Sequence, residues 1–368
     1  MNNNKMVAIA AVVIVVLAGI GIAYMLTDND SSDGDTITDA RGRKVAVPDE
    51  INSILAIKSC SLQLVSFFDA IDKVTCLDIN ESFTDRNRTH TYIMGDFLKG
   101  KNLPRVDPND AEQVIAKDVD IVISSTVDIS KLNEEQTKYG VPVFAINADV
   151  EFDSPIMYDQ LRLLGKLFGE EERAQEIIDG IKSMISDIYD NVDPVGGVKG
   201  YACGMNFFGM GSVQFLRTSG DYLPFKYSKL ENVSASNPAG VGGQPYDTSL
   251  ETVIKNNPQL IFVDGMGSEN VKKYIEDNKG TLQMIDAVTN KAVYKIMVYK
   301  NWGTNWVNQL INVYYVASIV HVGEFDWTFG DKANEIIQLF YPGTAVTYSD
   351  LANAQTGGGC GLVFEAPR

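Results

Sequence analysis

The chain has 368 residues, with 31 lysines and arginines against 48 aspartates and glutamates, giving a formal charge of −17. That balance argues against nucleic acid as a partner, because phosphate backbones require basic surface. Two histidines (His90 and His321) and four cysteines (Cys60, Cys76, Cys203 and Cys360) are too few and too scattered for a zinc motif or a disulfide scaffold.

Residues 6–26 (MVAIAAVVIVVLAGIGIAYML) contain no charged side chain, enough for a helix crossing about 30 Å of hydrocarbon. Lys5 precedes this run, while Asp28, Asp30, Asp33 and Asp35 follow it, so the remainder is expected outside the cytoplasm. A cleaved signal peptide is the alternative, but its apolar core is usually only about 7–15 residues long. Residues 1–26 are therefore expected to be an uncleaved, single-pass anchor. No cysteine follows closely enough for lipid attachment. Residues 27–35 (TDNDSSDGD) are acidic and small, an acidic flexible tether.

From residue 36 to 150 the pattern is that of an α/β lobe. TITDARGRKVAVP suggests a hairpin around Arg41-Gly42. The apolar runs INSILAIKS, VTCLDI, DIVISS and VPVFAIN alternate with helical stretches at SLQLVSFFDAI, 108–117 and ISKLNEEQTKYG. Short buried strands separated by helices indicate a parallel sheet. Residues 151–193 form a helical connector: Met157, Leu161, Leu164 and Phe168, then Ala174, Ile177, Ile181, Met184, Ile185 and Ile188, recur at helical spacing. Gly169 marks a break, and GEEERA opens a second helix on acidic residues that suit its dipole. Because the connector is stiff, relative motion of the lobes is expected to be small. Residues 194–345 repeat the alternation, with strands at VKGYACG, QLIFVDG and AVYKIMVY and helices at 248–256, 268–278, 304–321 and DKANEIIQLF. The tail, 346–368, has no readable period.

Two stretches look like copies of one unit. AEQVIAKDVDIVIS (111–124) and LETVIKNNPQLIFV (250–263) align Glu112 with Glu251, Val114 with Val253 and Ile115 with Ile254, each leading into an apolar strand. Their separation is about one domain length, implying two related lobes and a cleft between them.

Signs of covalent chemistry are thin. HExxH, GxSxG and GxxxxGK[ST] are all missing from the sequence. His321 ends a helix, where a cation favours the dipole; His90 falls in a polar stretch and reads as solvated. GMGS (209–212) and GVGGQ (240–244) read as loops. Cys360 has no cationic neighbour to activate it. Outside the cell, Cys60 and Cys76 are the pair nearest in sequence for oxidation; buried free thiols are the favoured reading. Asn80, Asn87 and Asn232 each begin a glycosylation triplet.

Open α/β sheets bind ligands beyond the carboxyl ends of their strands. The candidates there are Lys58, Ser59, Asn80 and Ser125 from the first lobe and Phe207, Phe208, Tyr299, Lys300 and Trp302 from the second. The rings suit a bulky, partly apolar ligand with hydrogen-bonding groups, and Lys300 is expected to pair with an anionic group. Trp302, at a strand-to-helix turn between Asn301 and Gly303, is the least suited to simple core packing.

These pieces resemble a known family. DTITDARGRKVAVPDEINSILAI is similar to the opening of the substrate-binding proteins that deliver iron–siderophores, haem and cobalamin to ABC importers. GEEERAQEII resembles the family's inter-lobe helix, SLETVIKNNPQLIFVDG its second-lobe signature, and WGTNWVNQLINVYYVASIVH its closing helix, especially in archaeal members. The resemblance runs over about residues 36–342. It implies two Rossmann-like lobes, each around a mainly parallel central sheet, joined by a single long helix. It implies no enzyme activity and no cofactor; the ligand is a metal chelate such as a ferric siderophore, haem or cobalamin. It implies ABC permease and ATPase partners, with Glu112 and Glu251 docking the permease. Val119 stands where the second copy has Pro258, and the tail beyond Gly343 exceeds the family's usual end. Rival readings are an oxyanion carrier (molybdate or tungstate), a chelatase-like enzyme and a non-transport surface sensor.

Overall fold

The computed structural model describes residues 36–205, 214–235 and 245–364. The expected membrane anchor and tether, Phe207, Phe208 and the two glycine-rich loops lie outside the described residues. Among the described residues no helix is long and apolar enough to cross a membrane.

Strands β1 (Thr36–Thr38) and β2 (Lys44–Ala46) pair as the expected hairpin. Asp39 organises its turn by accepting from the backbone of Arg41 and Arg43 and from the Arg43 guanidinium. Next come β3 (Ile54–Ile57), β4 (Val74–Asp78), β5 (Arg105–Val106), β6 (Ile121–Ser124) and β7 (Val143–Ala145). They form a wholly parallel sheet in the order β5-β4-β3-β6-β7. Every residue of β3 and β6 is buried, as continuous apolar runs require when both faces are covered.

The second lobe contains β8 (Lys199–Cys203), β9 (Arg217–Ser219), β10 (Glu231–Asn232), β11 (Pro245–Asp247), β12 (Leu260–Asp264), β13 (Val293–Ile296) and β14 (Gly361–Leu362). Its main sheet runs β10-β8-β12-β13-β14, parallel except for the last pairing, while β9 and β11 form a small antiparallel pair. The order β4-β3-β6-β7 therefore matches β10-β8-β12-β13. The repeated sequence unit occupies equivalent places, as helix Ala111–Ile115 leading into β6 and helix Leu250–Asn256 leading into β12. Asp110 and Ser249 cap these helices by accepting from backbone N–H groups. Glu112 and Glu251 fall one residue after the first helical position in each, and both are exposed.

The connector is two helices, Pro155–Phe168 and Glu171–Tyr189, rather than the single long helix that the family resemblance implies. Gly169, at φ 70°, makes the break that its place in the sequence predicts, since glycine adopts the left-handed region at no steric penalty. Ser154 caps the first helix and Pro155 opens it. Helix Trp306–Val320 is buried throughout its first twelve positions, and its residues enter core clusters of both lobes. That helix also carries Asn308 and Asn312, whose amides donate to the carbonyls of Val298 and Met297.

Residues 346–364 of the segment set apart as a tail are ordered into the fold. Helix Tyr348–Ala354 begins with a capping box between Thr347 and Asp350, and β14 closes the edge of the second sheet. Both lobes fall in one compact unit, Ile37–Arg368.

Candidate ligand-binding site

A cavity of about 550 Å³ opens beyond the carboxyl ends of β3 and β4. Its floor comes from the first lobe. Lys58 and Ser59 follow β3, Asp78 ends β4, and Asn80, Glu81 and Ser82 follow it. Asp85 and Arg88 extend the wall, and Trp302 reaches in from the second lobe.

The backbone here is unusual. Lys58, Cys60 and Trp302 all have positive φ (66°, 65° and 54°), a region non-glycine residues enter only where the surroundings impose it. Asp78 explains the first case: one carboxylate oxygen accepts from Lys58 N at 2.8 Å, and the other accepts from the backbone and side-chain nitrogens of Asn80. The turn holding Trp302 is built by a Lys300–Thr304 bridge, an Asn301 N to Gly303 O hydrogen bond of 2.9 Å and a Thr304 N to Ala148 O hydrogen bond of 3.0 Å. Gly303 presses on the first lobe so closely that a Cβ there would lie 2.4 Å from Cys60 Sγ. Trp302 is consequently held at the tip with 53% of its surface exposed.

Charge of both signs lines the cavity, and the cations are engaged. Lys58 Nζ meets Glu135 at 2.5 Å and also bonds Thr126; Arg88 Nε meets Asp85 at 3.1 Å. Burial raises the Glu81 carboxyl above its ordinary range despite the nearby Arg88. Arg105 steadies the same loop from below by donating to the carbonyls of Asp78 and Glu81.

Several expected site residues lie elsewhere. Tyr299 is only 1% exposed; it packs against Tyr222, and its hydroxyl donates to Glu151 at 3.2 Å. It is core, not cleft. Lys300, expected to meet an anionic ligand, is 3% exposed and forms ion pairs with Asp149 (3.1 Å) and Glu151 (2.7 Å). Its burial favours the neutral amine, but the two carboxylates more than reverse this and raise its pKa. Ser125, half-buried after β6, is not part of the cavity lining. Lys58, Ser59, Asn80 and Trp302 are the expected residues that the fold brings together.

His90 is also corrected. It is buried in the first turn of helix Thr89–Phe97, where Nδ1 meets Asn305 Oδ1 at 2.9 Å. Burial, helped by the charge of Arg88, lowers its pKa to about 3, so the ring is neutral. All four cysteines are free thiols; Cys60, Cys76 and Cys203 are buried, and burial raises Cys60 to about 12. Asp264, at the end of β12, accepts from Met266 N and Tyr299 N, each at 2.8 Å, and burial raises it to about 7. Among the described residues no cluster of three or more histidines, cysteines or carboxylates has metal-holding geometry.

Asp78, Asp85 and Arg88 were not singled out from the sequence. Their signal was the charged run DINESFTDRNR that starts at the last residue of β4, which periodicity does not separate from ordinary solvated loop.

A twin-lobed parallel α/β fold with a cavity at the strand ends has the place where open sheets of this kind take a ligand. The periplasmic binding protein family model matches residues 87–297, and the chain belongs to that family of solute-binding proteins, whose binding domains work outside the cytoplasm. The molybdate-binding protein MolA of Haemophilus influenzae is 20% identical over 83% of this chain and 90% of its own. The structure of MolA bound to molybdate aligns with TM-score 0.61 at 19% identity, covering 85% of this chain and 99% of that one. A periplasmic solute-binding protein from Veillonella parvula aligns with TM-score 0.64 at 18% identity, covering 85% and 94%. An ABC transporter solute-binding protein from Sulfurospirillum deleyianum gives 0.59 at 19%, covering 87% and 98%.

Proposed function

We propose that this chain is the binding component of an ABC importer that captures a metal chelate, of the ferric siderophore or cobalamin type, and presents it to the permease. The observation that carries this reading is the pairing of Trp302, held open from one lobe, with a cavity floor of both charge signs on the other. A chelate offers a bulky, partly apolar body with polar edges, which such a mixed lining accommodates. Residues 6–26 serve as a membrane anchor, holding the receptor near its permease at high effective concentration. Glu112 and Glu251 lie exposed at equivalent positions on the two lobes, suiting a pseudo-twofold partner bearing basic residues.

Molybdate is the second reading, favoured by the likeness to MolA. Against it stand three carboxylates (Asp78, Glu81 and Asp85) in the cavity and the commitment of Lys58 and Arg88 to carboxylate partners. A dianion is better served by donors free of competing negative charge.

Calorimetric titration of the purified protein with ferric siderophores, cobinamide, cobalamin, haem and molybdate tests the choice. Tight binding of a chelate with no heat from molybdate is the expected result; the reverse pattern would replace the first reading with the second. Substituting Glu112 and Glu251 by Ala should reduce transport in cells and leave solution affinity unchanged. Loss of affinity instead would place them at the ligand.

A further inference from the structure

We propose that the site has a second chamber, walled by the C-terminal segment, that receives an aromatic arm of the ligand. The inference deepens the chelate reading and rests on it. Asp85 and Arg88, which wall the main cavity, also line a separate hollow of about 300 Å³. Thr84, Arg86, Thr89 and Gln355 complete its polar edge, and the rest of its wall is apolar or aromatic. Phe83 and Tyr92 come from the first lobe, and Leu351 and Ala354 from helix Tyr348–Ala354. The ion pair of Asp85 and Arg88 is thus common to a charged chamber and one that adds two aromatic rings and two aliphatic side chains.

The wall given by the C-terminal segment is fixed to both lobes. Arg86 donates to the carbonyls of Ala354 (3.2 Å) and Gln355 (3.4 Å). Gln355 Oε1 accepts from Thr89 Oγ1 at 2.5 Å and from Asn308 Nδ2 at 2.8 Å. Gly357, at φ 75°, lies so near the second lobe that a Cβ would sit 2.4 Å from Gly265 O. Beyond it, β14 pairs with β13. The hollow is therefore a built feature. Tyr92 keeps 41% of its surface exposed on a helix whose neighbouring residues Thr91, Ile93 and Met94 are buried.

The lining selects the occupant. Phe83 and Tyr92 supply rings of the kind that pair with another aromatic ring, and a guanidinium at the shared boundary suits stacking on such a ring. The two arginines give little to a second small anion, since Arg86 holds carbonyls and Arg88 holds Asp85. A bare oxyanion has no atoms to reach the hollow. A chelate carrying an aryl arm does.

The test uses two probes that share one metal centre and charge: a linear ferric tris-hydroxamate ending in an acetyl group, and the same chelator ending in a benzoyl group. Calorimetry on the intact protein should show the benzoyl form bound about 10-fold more tightly, the size of one well-placed aromatic contact. Tyr92→Ala, at an exposed position, and Ala354→Trp, which fills the hollow, should each erase that margin and leave the acetyl form unaffected. Equal affinities in the unsubstituted protein, or a margin that survives both substitutions, overturn the chamber while the chelate reading stands. Binding of neither probe overturns the chamber together with the siderophore form of the reading beneath it.

Discussion

Lys300 and His90 carry opposite lessons about buried titratable groups. Lys300 stays charged because Asp149 and Glu151 surround it. Lys300→Met should lower unfolding free energy by about 3 kcal/mol, the low end for a broken buried pair because the two carboxylates retain some solvent. Urea denaturation measures this. His90 meets a neutral amide partner, Asn305, so burial, helped by the charge of Arg88, wins and holds it near 3 against an ordinary 6.5. The unfolded chain then takes up the proton first. The contribution of neutral His90 is fully present above pH 6.5 and is lost as pH falls towards 3. Asp264 runs the other way: raised from 3.8 to about 7, it adds stability below 3.8 that disappears as pH climbs through 7. Comparing His90→Gln with the parent chain isolates the first effect. The substituted protein should lose less stability between pH 6.5 and 4, and identical slopes would mean that His90 is solvated after all.

At the scale of elements, the turn from Lys300 to Thr304 matters most. It joins β13 to the buried helix Trp306–Val320, and it seats Gly303 on Cys60 while lifting Trp302 into the cavity. Gly303→Ala places a methyl group 2.4 Å from Cys60 Sγ at a φ of 117° that alanine strongly resists. The turn must then shift. Two outcomes are expected: Cys60 becomes reactive towards an aqueous thiol reagent under native conditions, and chelate affinity drops by about 10-fold as Trp302 moves. An inert Cys60 with unchanged affinity would show that the turn tolerates the methyl group. The connector gives the complementary case. Ser154, Pro155 and Gly169 are local signals with local consequences, and the helices begin and end where those residues require.

For the whole molecule, one continuous apolar cluster includes Ile54 of the first lobe, Ile177 of the connector, Leu310 of the buried helix and Leu351 of the C-terminal helix. Polar ties reinforce it. Trp306 Nε1 donates to Val150 O at 2.8 Å, and Gln309 Nε2 donates to Glu151 at 2.6 Å. Opening such a seam would expose packed side chains together with buried charge, so wide hinge motion is disfavoured. Small-angle scattering of the protein with and without a saturating chelate should give superimposable profiles. A clear compaction on binding would contradict the rigid arrangement.

The sequence by itself determined the alternation of buried strands and helices, the Gly169 break and the duplication that the two matching sheet orders express. These rest on short-range rules of periodicity and backbone sterics. It also pointed to the strand ends that hold Lys58, Asn80 and Trp302. Tertiary structure alone decided which neighbours face the cavity. Tyr299 and Lys300 adjoin Trp302 in sequence yet are buried, because a bridged turn reverses the chain between them and the tip. Arg88 and Asp85 carry no periodic signal, and they become site residues only because a loop beyond β4 meets a residue from the other lobe. Whether a charge is free for a ligand or already paired depends on such distant meetings, and no local pattern encodes them.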